Sequence, residues 1–123
     1  MQQLKPSDLK PYFNNPRKNE DAVIKVAESI QAFGFQNPII ADKNKVIIAG
    51  HTRWKAALKL NLKTVPVIIT DLPEEKAKAY RLADNRLGEM AEWDWEKLEM
   101  ELEDLDVEFK ELLDFDIPDW REP

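Results

Sequence analysis

The stretch from Val46 to Leu60, VIIAGHTRWKAALKL, restricts the fold more than any other part of the chain. Val46 to Ala49 is a short apolar run rich in β-branched residues, the pattern of a buried strand. The run breaks at Gly50, and Trp54, Ala57, Leu58 and Leu60 then recur at helical spacing. Asn61 stands where a left-handed residue closes a helix. A strand that turns through glycine into a helix aims the first backbone N–H groups of that helix at one point, and that point attracts anions. Arg53 adds a planar donor fork suited to phosphate. Its charge is unfavourable beside the positive end of the helix dipole, so a bound phosphate gives it a reason to be there. An ordinary strand–turn–helix explains the same letters, with Thr52 as N-cap, His51 as a solvated loop residue and Arg53 as a surface side chain.

With 123 residues the chain is long enough for one domain with a modest core. The hydrophobic share of 43% and charged share of 34% suit a globular protein rather than a disordered one. No apolar run reaches membrane-spanning length and the start carries no signal-peptide pattern, so a cytoplasmic location without membrane contact is expected. There is no cysteine, which removes disulfides, thiolate metal sites and a cysteine nucleophile. A single histidine argues against a protein-built zinc site. The net charge of −6 hides a segregation: residues 1–83 hold 14 Lys/Arg against 8 Asp/Glu, while residues 84–123 hold 4 against 16. The back half repels phosphate, so bulk electrostatics favours a polyanion only at the front.

Along the chain, residues 2–4 read as a short edge strand and Pro6 to Leu9 as a tight turn. Asn14 to Asn19 is a loop, with Asn19 as the expected N-cap of a helix whose face is Val23, Val26, Ala27, Ile30 and Phe33, closed by Gly34. Pro38 to Ala41 and Val46 to Ala49 make a hairpin about the polar turn Asp42 to Lys45. Thr64 to Thr70 is a strand in which Pro66 denies a ladder hydrogen bond, so it lies at an edge or pairs beyond Pro66. A helix from Pro73 presents Ala79, Leu82, Ala83, Leu87 and Met90 as its apolar face. Trp93 and Leu98 flank Asp94 at the spacing of a hydrophobic staple, Asp106 caps a last short helix, and Phe115 to Pro123 is irregular. The expected division is 1–90, a nucleotide-binding domain, and 91–123, an acidic helical extension.

The order of the pieces is distinctive. Asn15-Pro16-Arg17 comes first, then a helix ending SIQAFG at Gly34, then Asn37-Pro38-Ile39-Ile40, then IAGHTRWKAA from Ile48 to Ala57, then Val65-Pro66-Val67, then Leu82-Ala83-Asp84-Asn85-Arg86. Over roughly residues 2–90 this resembles the N-terminal domain of the ParB family, within the wider ParB/sulfiredoxin fold. It is most similar to the ParB-like domains of phage and mobile-element proteins, found alone or ahead of a DNA methyltransferase. The resemblance implies an α+β fold, a small mixed sheet of about four strands packed with helices. It implies nucleotide binding, since partition ParB proteins bind CTP with magnesium. Their phosphate motif reads Gly-Glu-Arg-Arg-x-Arg-Ala. Gly50, Arg53, Lys55 and Ala56 match it in position or character, and His51 and Thr52 stand for the glutamate and first arginine. Asp84-Asn85 lies where that family has a metal-supporting Glu-Asn pair, and Arg17 corresponds to its loop arginine.

Three departures qualify this. The missing glutamate removes the ground for expecting CTP hydrolysis. Gly88 replaces an arginine, and the chain turns acidic where partition proteins carry a helix-turn-helix. Sulfiredoxin chemistry needs a cysteine in the turn, and a serine kinase on the same fold uses ATP, so the fold does not fix the nucleotide. The expected function is a nucleotide-binding module, taking CTP or ATP with magnesium, coupled to DNA directly or through another domain or protein. Its expected phosphate ligands are Gly50, His51, Thr52, Arg53 and Arg17, with Asp84 and Asn85 at the metal. A homodimer stays open. So do two alternatives: an enzyme (NTPase, phosphotransferase or nuclease) with His51 as the catalytic base, and an acidic interaction adaptor or regulatory domain of a DNA methyltransferase.

Overall fold

The structure of the protein is a computed structural model, described for residues 1–15 and 20–121. In chain order it contains β1 (Gln2–Leu4), a 3-10 turn (Pro6–Asp8), α1 (Glu20–Phe33), β2 (Ile39–Ala41), β3 (Ile47–Ala49), α2 (His51–Lys59), β4 (Val65–Ile69), α3 (Glu74–Met90), α4 (Trp95–Glu103) and α5 (Val107–Leu113). The chain divides into two compact units, Met1–Arg86 and Leu87–Pro123. No helix among the described residues is long and apolar enough to cross a membrane.

In the first unit, local chemistry sets the ends of most elements. Acidic Glu20 and Asp21 occupy the positive end of α1, and Gly34 closes it at φ +80°, its N–H donating to the Ile30 carbonyl at 2.8 Å. The expected cap at Asn19 lies outside the described residues. In the hairpin turn the Asp42 carboxylate accepts the N–H groups of Asn44 and Val46, and Lys45 takes a positive φ. Asn61 closes α2 at φ +54°.

The strands form one mixed sheet in the order β1-β4-β2-β3. β1 and β4 are antiparallel, β4 and β2 parallel, and β2 and β3 antiparallel. The outer edge of β3 is laced to the N-terminal segment: Lys10 bridges to Val46, donates to the Lys45 carbonyl and accepts from the Ile47 N–H. Helix α1 packs on α2. Leu9, Ile39, Ala41, Ile47, Ala57, Val65 and Val67 form the core, with Trp54 half-buried against it and its indole N–H donating to the Pro6 carbonyl at 2.8 Å. All three residues of β3 are buried, so both its faces are covered and the chain leaves it into Gly50 under firm constraint.

Of the two placements expected for β4, the structure takes the second: the strand is interior, Pro66 faces Gln3 of the short β1, and pairing with β2 starts only at Val67. The missing N–H therefore falls outside the β2 ladder. Two other expectations are corrected, on α2 and α3. On α2, Ala56 is fully buried and Leu58 is exposed. On α3 the buried positions are Ala77 and Arg81, while Leu82, Leu87 and Met90 face solvent. Periodicity locates an apolar stripe, but the stripe that packs here contains an arginine.

In the second unit, Asp94 caps α4 by accepting the Lys97 N–H, and Trp93 meets Phe115 edge-on at 5.0 Å. No residue of α4 or α5 is fully buried. The C-terminal segment is fastened to α4, since Trp120 Nε1 and the Arg121 guanidinium both donate to the Glu99 carboxylate.

Candidate functional site

One cleft opens where β3 passes through Gly50 into α2. Its walls are Asn15, Ile48, Ala49, Gly50, His51, Thr52, Arg53, Arg81, Asp84 and Asn85, around a cavity of about 100 Å³. The structure thus brings together six of the expected site residues: Gly50, His51, Thr52, Arg53, Asp84 and Asn85. Arg17 lies outside the described residues.

Gly50 has φ +106° and ψ +24° and is itself the N-cap of α2, so Thr52 is not the cap. A cap without a side chain supplies no side-chain acceptor to the first turn. The bare Cα also makes room. A Cβ at Gly50 would stand 3.0 Å from Arg53 Nη2 and 3.2 Å from Ile39 Cγ1. The Arg53 guanidinium folds into that space.

Arg53 Nη2 donates to the Pro38 carbonyl at 2.9 Å, which ties α2 to the residue before β2. Arg53 Nε is buried and has no hydrogen-bond partner. Burial lowers the guanidinium's pKa, and the Asp84 carboxylate opposes that shift. A buried donor left unsatisfied costs about 1–3 kcal/mol. Arg53, which lines the cleft at the helix start, is therefore a half-committed side chain: one nitrogen holds the fold and another is buried without an acceptor.

His51 differs from its expected role. It is buried in the first turn of α2, and its Nε2 accepts the Tyr12 N–H at 3.0 Å. An imidazole nitrogen that accepts carries no proton, so the ring is neutral with its hydrogen on Nδ1. Desolvation first, then the charges of Arg81 and Lys55, push its pKa down to about 4. The catalytic-base role expected of His51 meets an occupied lone pair: the one on the neutral ring accepts from the Tyr12 N–H.

Sequence reasoning missed Arg81. It is 8% exposed, its Nε donates to the Ile47 carbonyl at 3.1 Å, and its guanidinium carbon lies 3.8 Å from the centroid of the Tyr12 ring. The available signal was spacing: Arg81 stands one turn before Asp84-Asn85 on the same helix. At the cleft Asp84 is exposed and Asn85 partly buried. Among the described residues no group of three or more His, Cys, Asp or Glu could hold a metal ion by protein ligands alone.

A family model described as "ParB N-terminal domain" matches residues 1–86. The "ParB-like nuclease domain-containing protein YnaK" of Escherichia coli is 43% identical over 63 residues, covering 50% of this chain and 72% of that protein. The "Probable chromosome-partitioning protein ParB" of Rickettsia felis is 38% identical over 79 residues, covering 63% of this chain but only 28% of its own length. Among solved structures, the C-terminally truncated chromosome-partitioning protein ParB from Caulobacter crescentus, complexed with CTP-gamma-S, superposes with a TM-score of 0.73. Identity there is 22%, with 89% of this chain and 64% of that one covered, a likeness of fold.

Proposed function

The chain belongs to the ParB N-terminal domain family, and on that premise we propose that its cleft holds the phosphates of a nucleoside triphosphate, with CTP first among those to test. The observation that carries this reading is the buried, unpartnered Nε of Arg53 beside the start of α2. Native proteins rarely leave such a donor without an acceptor, and an anion in the cleft supplies one. The bare Gly50 turn leaves room for the Arg53 guanidinium at the helix start, which itself adds partial positive charge. A cavity of about 100 Å³ suits phosphate groups rather than a whole nucleoside. The base and sugar then lie outside it. CTP comes first because the Caulobacter relative of this fold is complexed with CTP-gamma-S; the cleft residues do not discriminate among bases, and ATP is the next candidate.

Magnesium fits this donor set. Asp84 and Asn85 offer one carboxylate and one amide oxygen, and magnesium is commonly held by one or two carboxylates together with substrate phosphates. The ion would neutralise phosphate charge. Binding is favoured over turnover, because the His51 lone pair is taken by Tyr12 and no other imidazole exists. A role in DNA partition draws support from the chromosome-partitioning name of the Rickettsia relative; DNA modification or phage DNA metabolism, and action in the cytoplasm directly on DNA or through another domain or protein, belong to the same proposal on the sequence resemblance alone. This chain spans 28% of the Rickettsia protein, so that role belongs to the proposal.

The test is a calorimetric titration of the chain with CTP, ATP, GTP and UTP, each with magnesium. One of them should bind, and Arg53→Ala, checked for folding by circular dichroism, should weaken it at least about tenfold. No binding at millimolar nucleotide, or a folded Arg53→Ala chain matching the parent, overturns the reading.

A further inference from the structure

Arg81 is a charge that the fold has gone to some length to place. It belongs to the helix that also carries Asp84 and Asn85, and it lines the cleft from the side opposite the Gly50 turn in sequence. Burying a guanidinium is costly unless its donors are used. Arg81 Nε–H donates to the Ile47 carbonyl, and the Tyr12 ring covers one face of the planar group. These two interactions define both the position and the plane of the guanidinium. Neither neutralises its charge, because a carbonyl and a phenol ring are both neutral.

The surroundings record that charge. His51, on a different element, has its protonation opposed by Arg81 as the largest Coulombic influence on it, ahead of Lys55. The positive field of Arg81 therefore reaches across the cleft to the first turn of α2. Two guanidinium groups, Arg53 and Arg81, and a helix start meet the single carboxylate of Asp84 there. Arg53 and the helix start together suffice for one phosphoryl group. A second fixed guanidinium on another element suits an anion whose charge is spread over more than one phosphoryl group.

We propose that Arg81 is a phosphate-binding residue of this cleft, the one that favours polyphosphate over monophosphate, with Tyr12 and the Ile47 carbonyl as its orienting supports. The inference rests on the nucleotide reading above and adds to it a residue, a ligand class and a way to lose one without the other. A guanidinium held in advance by a ring and a carbonyl pays little entropy on meeting its anion. That is the advantage Arg81 has over a surface lysine.

The experiment compares CTP, CMP and inorganic tripolyphosphate, each with magnesium, on the whole chain and on its Arg81→Gln and Arg81→Lys variants. Calorimetry measures CTP and tripolyphosphate, and competition against CTP measures CMP. Arg81→Gln is expected to weaken CTP and tripolyphosphate by about 10- to 100-fold, the range of a charge-assisted hydrogen bond, and to leave CMP within about threefold. Arg81→Lys is expected to recover only part of the loss, since an ammonium cannot keep both the Ile47 bond and a fork. Equal losses for all three ligands would mean a purely structural role and would overturn the proposal. So would CTP binding unchanged in Arg81→Gln, which leaves the nucleotide reading intact and removes Arg81 alone. A parent chain that binds neither CTP nor tripolyphosphate removes both readings. Where Arg81→Gln does not fold, arginine-labelled parent protein decides: the Arg81 Nε resonance should move on adding tripolyphosphate, and a stationary resonance overturns the assignment.

Discussion

Acidification should expose His51 as a specific weak point of the fold. In the folded chain its pKa falls from the ordinary 6.5 to about 4. The unfolded chain thus takes up a proton that the folded chain refuses, and stability rises with pH wherever that holds. The contribution is intact above 6.5, is lost progressively as pH falls, and the loss is complete once the folded imidazole itself titrates near 4. At about 1.4 kcal/mol per pH unit this interval corresponds to about 3 kcal/mol. Water reaching the ring from the cleft reduces the expected loss to about 2 kcal/mol. The carboxylates of the chain also titrate in this range, so the measurement must be a difference. His51→Gln serves, because a Gln oxygen can accept the Tyr12 N–H and does not titrate. Urea unfolding followed by tryptophan fluorescence, at intervals from about pH 7 to about pH 4, should show the parent losing about 2 kcal/mol more than His51→Gln. The chain has one histidine, so its ring resonances need no assignment and should titrate near 4. Parallel stability curves, or a ring midpoint near 6.5, would refute the burial and charge argument for this site.

Other substitutions test other parts of the structure. Gly50→Ala forces a side chain onto a φ of +106° and drives its Cβ to 3.0 Å from Arg53 Nη2. A loss of about 2–3 kcal/mol in urea unfolding is expected, with weaker nucleotide binding because the guanidinium is displaced. Gly88→Ala goes the other way: nothing lies within 4 Å of the added Cβ on α3. It should stabilise that helix by about 0.5–1 kcal/mol, seen as slower amide exchange. Asp94→Ala removes the acceptor for the Lys97 N–H and should cost about 1 kcal/mol. Faster exchange confined to α4 checks it, and unchanged exchange there would show that the cap carries no weight.

The readable parts of this chain were those set by neighbours in sequence. The hairpin over residues 39–49, the left-handed Gly34, Gly50 and Asn61, and the cap at Asp94 follow from turn chemistry, which acts within four or five residues. The order of those pieces also carried the family resemblance and the position of the cleft. What the letters left undecided were the partners across the fold. Pro66 puts its strand at an edge or pairs it beyond the proline, and only the placement of β1 and β2 on the two sides of β4 decides between them. Leu82 and Leu87 read as core until Arg81, on another stripe of α3, turns inward.

His51 and Arg81 show the reason most plainly. By sequence His51 is a turn residue with several roles open to it, and Arg81 carries no assignment. Their roles come from Tyr12, 39 residues before His51, and from the Ile47 carbonyl, 34 residues before Arg81. Local rules choose backbone angles, because those depend on adjacent atoms. The protonation of a ring and the direction of a guanidinium depend on solvent exclusion and on acceptors brought near by the tertiary fold, and no window of the sequence contains them.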